Sequence, residues 1–252
     1  MATQTVIPAS AETKEIEKAE PSKSVQIRAQ VEKQVAQSQD KFLAALGTQQ
    51  SVDRWKTMLA MELFRKPDLL NCTPASIVAA AIEAASLGLE FGPRKHSYII
   101  PRKGQATFVP SYMGLVHLAK QSGLVEQVSG QVVCAGDEFR YSLGLAPTLE
   151  HIPAGERGAV THAYTVVRFA NGSTDFEVMD KAEIDAIRKR SPSPGSGPWV
   201  TDYNEMAKKT VIRRICKRLD LGEKFSDALA KDSYETDEPE TAQMQMPKET
   251  AK

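Results

Sequence analysis

Residues 197–219, GPWVTDYNEMAKKTVIRRICKRL, place Lys208, Lys209, Arg213, Arg214, Lys217 and Arg218 directly behind Trp199 and Tyr203. Cations that follow a sugar-phosphate backbone, with aromatic rings that stack on unpaired bases, are what sequence-tolerant binding of a single nucleic-acid strand requires. Arg188, Lys189 and Arg190 stand just before the loop SPSPGSGP, and a further cluster, Arg94, Lys95, Arg102 and Lys103, surrounds a short hairpin. Tyr112 and Trp55 sit in amphipathic stripes and are expected in the core. Trp199, at a loop-to-helix entry after Gly197-Pro198, is open between a hydrophobic staple and a stacking platform.

The chain has 32 basic and 32 acidic residues and no net charge. That neutrality excludes a nucleic-acid partner only if the charge is spread evenly, and it is not. Positions 188–218 hold nine basic residues and two acidic ones, whereas positions 220–252 hold nine acidic residues and four lysines. An acidic tail cancels a basic segment in the sum. It either competes with DNA for the basic surface or serves as a solubilising tail.

If Asp202 caps a helix and Glu205 answers it from N3, the two acids of the basic segment are explained as a capping-box-like pair at the end the helix dipole favours. At about 100° per residue, Ala207, Val211, Ile212, Ile215, Cys216 and Leu219 form an apolar arc. Lys209, Arg213, Arg214, Lys217 and Arg218 fill most of the rest. Lys208 falls inside the apolar arc, so it either snorkels to the edge or meets a phosphate in a groove. On this projection Lys209→Ala with Arg213→Ala is expected to abolish DNA function and spare the fold.

Other chemistries lack their residues. No Gly-x-x-x-x-Gly-Lys followed by Ser or Thr is present to cradle nucleotide phosphates. His96, His117, His151 and His162 form no metal-ligand spacing, and Cys72, Cys134 and Cys216 read as buried free thiols, with neither a disulfide framework nor a zinc site. Catalytic and metal-binding residues are therefore both assigned as none, and no cofactor is expected. Glu83, Glu90, Asp137 and Glu138 form no recognisable nuclease motif, although a metal-dependent nuclease using the same basic surface is the alternative reading. No apolar run suits a membrane span or a secretory signal, so no membrane association is expected and a cytoplasmic location is.

The elements that must position these residues change type along the chain. Residues 1–23 are expected to be disordered, 24–229 to form one DNA-binding domain, and 230–252 to be an acidic flexible tail. VQIRAQVEKQVAQSQDKFLAAL, VDRWKTMLAMELFRK and PASIVAAAIEAASLGL read as helices, the last with Thr73 as N-cap, Pro74 at its first position and Gly88 at its stop. SYIIP and ATFVP flank a hairpin with a basic turn, and YMGLVHLAKQS is a helix between Ser111 and Gly123. QVSGQVVCAG, EFRYSLG and LEHI read as extended, and VTHAYTVVRF joins STDFEVM through Asn171-Gly172. A helix over residues 181–189 leads to the basic segment. The class is α+β: N-terminal helices and a small antiparallel sheet packed with helices.

In order and spacing, ASLGLEFGPRKHSYIIPR, TFVPSYMGLVHLAKQSG and GPWVTDYNEMAKKTVIRRICKRL resemble the RecT family of phage-type single-strand annealing proteins. The resemblance spans about residues 72–219. It implies an ATP-independent recombination protein, phage- or prophage-encoded in a bacterial cell, that coats single-stranded DNA and pairs it into annealed duplex as a helical or ring homo-oligomer. It further implies a Rad52-like annealing fold, a 5′-to-3′ exonuclease partner and a host single-strand binding protein as partner. The family's DNA groove would draw on Lys95, Arg102, Lys103, Trp199, Lys208, Lys209, Thr210, Arg213 and Arg214. With Arg188, Lys189, Arg190, Tyr203 and Lys217, these complete the candidate interface.

Overall fold

The computed structural model describes residues 22–191 and 193–232. Of the expected terminal segments, only positions 22–23 and 230–232 fall within it, at the start of the first helix and the end of the last; the remainder lies outside the described residues.

The N-terminal helices are α1 (Lys23–Gln37), α2 (Gln39–Leu46), α3 (Gln49–Arg65) and, after a 3-10 turn at Pro67–Asn71, α4 (Pro74–Leu87). The apolar stretch expected as one helix is split at Ser38, whose φ −100 and ψ 14 leave the helical region. Thr48 and Thr73 cap α3 and α4 by accepting from Ser51 N and Ser76 N, and Gly47 and Gly88 end α2 and α4 in the left-handed region. Alanines dominate the buried face of α4 and let its neighbours come close, so α4 runs through the first core among Phe42, Val52, Leu59 and Ile99. Trp55 joins this core, edge-on to Phe91 at 5.1 Å.

Strands β1 (Ser97–Arg102) and β2 (Gln105–Pro110) form a two-stranded antiparallel sheet. Arg102 pairs with Gln105, so Lys103 and Gly104 are the two turn residues, and both have positive φ, 49° and 78°. Positive φ at both central positions is the type I′ geometry that matches strand twist, and a lysine at the first of them is unusual. Helix α5 (Tyr112–Gln121) follows, capped by Ser111 through Gly114 N. A Cβ on Gly114 would lie 2.0 Å from the His96 carbonyl oxygen, so only glycine lets α5 lie this close to the entry of β1.

The second sheet is antiparallel, in the order β3-β6-β7: β3 (Val125–Cys134), β6 (Val160–Phe169) and β7 (Thr174–Asp180). Between β3 and β6 the chain makes a separate hairpin arm of β4 (Glu138–Ser142) and β5 (Thr148–Ile152). The C-terminal helices are α6 (Lys181–Arg190), the single turn α7 (Pro198–Thr201), α8 (Tyr203–Cys216) and α9 (Glu223–Lys231). The described residues thus form an α+β structure whose strand pairs are antiparallel.

Helix α8 joins two cores. Ile212, Ile215 and Cys216 enter the first, while Met206, Ala207 and Val211 enter a second built with Ala163, Met179, Ile184 and Trp199. Strand β3 crosses it closely: a Cβ on Gly130 would stand 2.9 Å from Ile212 Cδ1. Cys72, Cys134 and Cys216 are buried free thiols. Burial pushes the Cys72 thiol up and that of Cys216 up to about 12. Among the described residues no helix is long and apolar enough to cross a membrane.

Candidate nucleic-acid interface

The start of α8 differs from the expected capping box. Asp202 ends α7, where its N–H donates to Pro198 O, and this leaves it at φ −137 and ψ 45, with no side-chain cap to α8. Glu205 instead pairs with Lys208 Nζ at 2.9 Å. That contact decides the position of Lys208. Its stem lies against β3 at Gly130 and its ammonium reaches the half-exposed rim, as a snorkelling lysine does. The capping box occurs two helices earlier, where Asp180 accepts from Glu183 N and Glu183 accepts from Asp180 N at the start of α6.

The expected cationic face of α8 is mostly engaged within the protein. Arg213 is buried, 5 % exposed; it pairs with Asp232 at 3.1 Å and donates to the Pro110 carbonyl at 3.4 Å. The helical projection misses this because Asp232, just after α9, and Pro110, at the end of β2, meet that side chain. Thr210 is also buried, its hydroxyl donating to Met206 O at 2.8 Å. Arg214 holds Glu177 at 2.9 Å and Glu183 at 2.7 Å, while Arg218 holds Asp175 at 2.9 Å and Glu177 at 3.1 Å. Strand β7 therefore lays an acidic rail along the arginines. Lys209 is half-buried and Lys217 exposed.

The aromatic pair belongs to the second core. Trp199 is 3 % exposed and meets Tyr203 edge-on at 6.0 Å, so the indole is a staple in this arrangement and offers no face to a base. Tyr203 is half-buried, with Lys181 and Arg188 over its ring at 5.2 and 5.9 Å. Its hydroxyl donates to Asp185 at 2.9 Å; burial first, and then this bond, raise its pKa. Arg188 also donates to the Pro194 carbonyl at 2.7 Å, which ties the loop after α6 to that helix. Lys189 and Arg190, in the last turn of α6, are exposed.

The hairpin cations stand apart from α8. Gly104 O accepts from Thr73 N, and Ser76 Oγ accepts from Ala106 N, so the turn is fastened to the N-terminus of α4. Pro110, at the other end of β2, is the residue that meets Arg213. A six-residue strand at about 3.3 Å per residue separates the two places by roughly 20 Å. Lys103 is exposed at the tip, Arg102 half-buried beside it, and Lys95 half-buried at φ 50 before β1. The positive end of α4 adds to the field of Arg102 and Lys103.

One cationic cleft escaped the sequence reading. Arg54, Arg65 and Arg94 surround a recess of about 240 Å³ over Met58 and Phe91, with Glu90 bound to Arg54 and Arg94 at 2.9 and 3.3 Å. Arg54 and Arg65 are eleven residues apart, three helical turns, so their shared face was legible in α3. Beside it the rings of His96 and His117 stack at 4.2 Å. Burial and then their mutual repulsion lower the pKa of His96, and burial and then Arg94 lower that of His117.

The acids weighed as nuclease ligands are dispersed. Glu83 pairs with Lys231 and Glu138 with Arg140, while Asp137 sits under the hairpin arm with Arg157 and His151. Among the described residues no group of three or more His, Cys, Asp or Glu is placed to hold a metal ion.

Similarity to known proteins covers both the hairpin and the α8 region. Over 206 residues the chain is 36 % identical to Protein RecT of Escherichia coli (strain K12), covering 78 % of this chain and 77 % of that one. It is 24 % identical over 168 residues to the uncharacterized protein YqaK of Bacillus subtilis (strain 168), covering 64 % of this chain and 57 % of YqaK. The RecT family model matches residues 49–246, from the start of α3 past the end of α9. With both quoted basic motifs inside that match, the chain belongs to the RecT family.

Proposed function

We propose that this protein binds single-stranded DNA with little dependence on sequence and pairs it with a complementary strand without ATP, as a helical or ring oligomer in phage-type recombination. Its partners on this reading are the single strand, the annealed duplex, a 5′-to-3′ exonuclease that makes the strand, and a host single-strand binding protein, all in the cytoplasm. One observation carries the reading: in a RecT-family chain, Lys103, Lys189 and Arg190 are exposed without an ion pair among the described residues, while the arginines of α8 are held by internal acids. Cations committed to acids hold the fold, and those left in solvent are available to phosphates. Backbone contact leaves base edges free to pair, which annealing needs.

With Lys103, Lys189 and Arg190 on phosphates, about three counterions per subunit are released. The log-log salt slope for single-strand binding is then about −2 per subunit. Annealing of complementary fluorescent oligonucleotides, without nucleotide and at two salt concentrations, tests this. Acceleration that weakens steeply with salt is expected, and an affinity flat between the two salts refutes the electrostatic site. Degradation of the strands on adding magnesium would point instead to the nuclease alternative.

A further inference from the structure

Trp199 and Tyr203 pack in the second core, so a base of the bound strand needs another apolar surface. One stands in the recess of about 240 Å³ between α3 and the loop before β1. Its floor is Met58, Met61 and Phe91, with Met61 55 % exposed and Trp55 backing Phe91 edge-on from the core. Methionine is polarizable and adaptable in shape, a surface that takes any base without reading it. The volume lies just below the roughly 300–1,000 Å³ of most small-ligand pockets and suits one nucleotide rather than a duplex.

The rim carries charge in excess. Arg54, Arg65 and Arg94 stand against one carboxylate, Glu90, which leaves two positive charges uncompensated among the lining residues. On α8 the balance is reversed: Arg214 and Arg218 face three acids, Asp175, Glu177 and Glu183. Glu90, 14 % exposed, holds Arg54 at 2.9 Å and Arg94 at 3.3 Å, yet both arginine side chains stay more than half exposed, at 56 % and 57 %. A guanidinium has five N–H donors, so one shared carboxylate orients the two arginines and leaves most of their donors for a phosphate, which arginine binds through paired hydrogen bonds. Arg65 is exposed and has no ion pair among the described residues. The loop that carries Arg94 is fixed by its own backbone: Glu90 O accepts from His96 N and Ser97 N, and Gly92 O accepts from Lys95 N.

We infer that this recess holds one nucleotide of the bound single strand, its phosphate on Arg65 and Arg94 and its base on the two methionines. The inference deepens the single-strand reading above and rests on it. The position agrees. Strand β1 runs from the recess, where Phe91 bridges Ser97, to Arg102 beside the exposed Lys103, six residues or roughly 20 Å at about 3.3 Å each. A strand lying along β1 therefore meets cations at both ends of the hairpin. An acidic peptide would pair with the same arginines, but an apolar floor beside them favours a ligand that alternates anion and ring, as a nucleic-acid strand does.

Arg65→Gln/Arg94→Gln tests this in the full chain. It leaves Glu90 paired with Arg54, so the thermal melt should stay close to that of the parent; Arg65→Gln alone, with half the effect, replaces it if the double variant does not fold. Oligothymidylate is titrated across a range of salt. Two further phosphate contacts take the parental slope from about −2 to about −3.5 per subunit, and the double variant should return to about −2, with affinity lower by about 25-fold at about 0.1 M salt. Lys33→Gln/Lys41→Gln, at exposed lysines of α1 and α2, removes the same net charge and should keep the parental slope. Oligonucleotides carrying 5-iodouracil, irradiated in the complex, should attach to Met58 or Met61 in the parent and not in the double variant. A parental slope in the double variant, an equal flattening in the lysine control, or attachment wholly outside the recess overturns the assignment. A hexaglutamate peptide that binds the parent and not the double variant, with the single-strand slope unchanged between them, overturns it in favour of an acidic protein partner. Annealing by the parent is measured separately. Annealing with an unaltered slope in the variant removes the recess alone, and a flattened slope in the variant of a parent that does not anneal removes the annealing reading alone.

Discussion

Replacing Arg213 by methionine separates a structural role for this residue from a role in binding DNA. The side chain of Arg213 is 6 % exposed and that of Asp232 1 %. Removing one partner of a buried pair leaves an uncompensated charge and costs about 3–5 kcal/mol, whereas replacing both partners by apolar groups is often neutral. In a chain of this size each kcal/mol moves the Tm by about 2–4 °C. Arg213→Met should therefore lower the Tm by roughly 6–20 °C, and Arg213→Met/Asp232→Leu should recover most of that. Thermal melts by circular dichroism read the stability, and single-strand affinity is measured well below each midpoint. The folded single variant should bind DNA nearly as the parent does. A variant that melts within about 1 °C of the parent yet loses its DNA affinity refutes the structural assignment and returns Arg213 to the interface. The same reasoning reverses the expectation that Lys209→Ala with Arg213→Ala spares the fold.

Asp175→Asn with Glu177→Gln removes acids from β7 that hold Arg214 and Arg218. These are three partly exposed pairs worth at most about 1 kcal/mol each, so stability should fall by no more than about 3 kcal/mol, while Arg218 is released and Arg214 keeps Glu183; single-strand affinity should rise and its salt slope steepen by about 0.7, and unchanged affinity would show that α8 does not face the strand. Lys103→Asn creates an Asn-Gly turn, preferred in type I′ geometry, while deleting the tip charge. The Tm should hold or rise and the salt slope should flatten by about 0.7, and a slope equal to that of the parent would remove the hairpin from the interface. The lowered pKa values of His96 and His117 mean that the unfolded chain takes up protons first as pH falls. The stabilisation by these neutral rings is complete above about pH 6.5 and is lost progressively below it. His117→Gln should reduce the fall in Tm between pH 7.5 and 5.5, and an identical fall in both proteins would contradict this.

What the sequence reveals is whatever a few neighbouring residues decide. Thr73, Ser111 and Asn171-Gly172 act within one turn of themselves, so the caps and hairpins are legible. The strand alternation in β6 likewise places Ala163, Thr165 and Val167 together in the interior. The α8 face is not legible, because its cations are claimed by residues distant in the chain: Asp232 after α9, Pro110 at the end of β2, and Asp175 and Glu177 on β7. A helical wheel shows one apolar arc, whereas these distant residues meet the arginines of α8 from further sides. Lys208 was the residue that the pattern alone could not place, and its 2.9 Å contact with Glu205 puts its charge at the rim. The capping box stands two helices before the expected place, since the backbone of Asp202 closes α7 and Asp180 starts α6.

The burial of the three native thiols has a practical consequence. Cys72, Cys134 and Cys216 are enclosed, and a thiol titrating near 12, as Cys216 does, is almost wholly protonated at neutral pH and a poor nucleophile. A cysteine introduced at position 103 would thus be the one solvent-facing thiol among the described residues. Maleimide dyes would then mark the hairpin tip without first stripping the native cysteines, allowing the arrival of a single strand to be followed by energy transfer in otherwise unmodified protein.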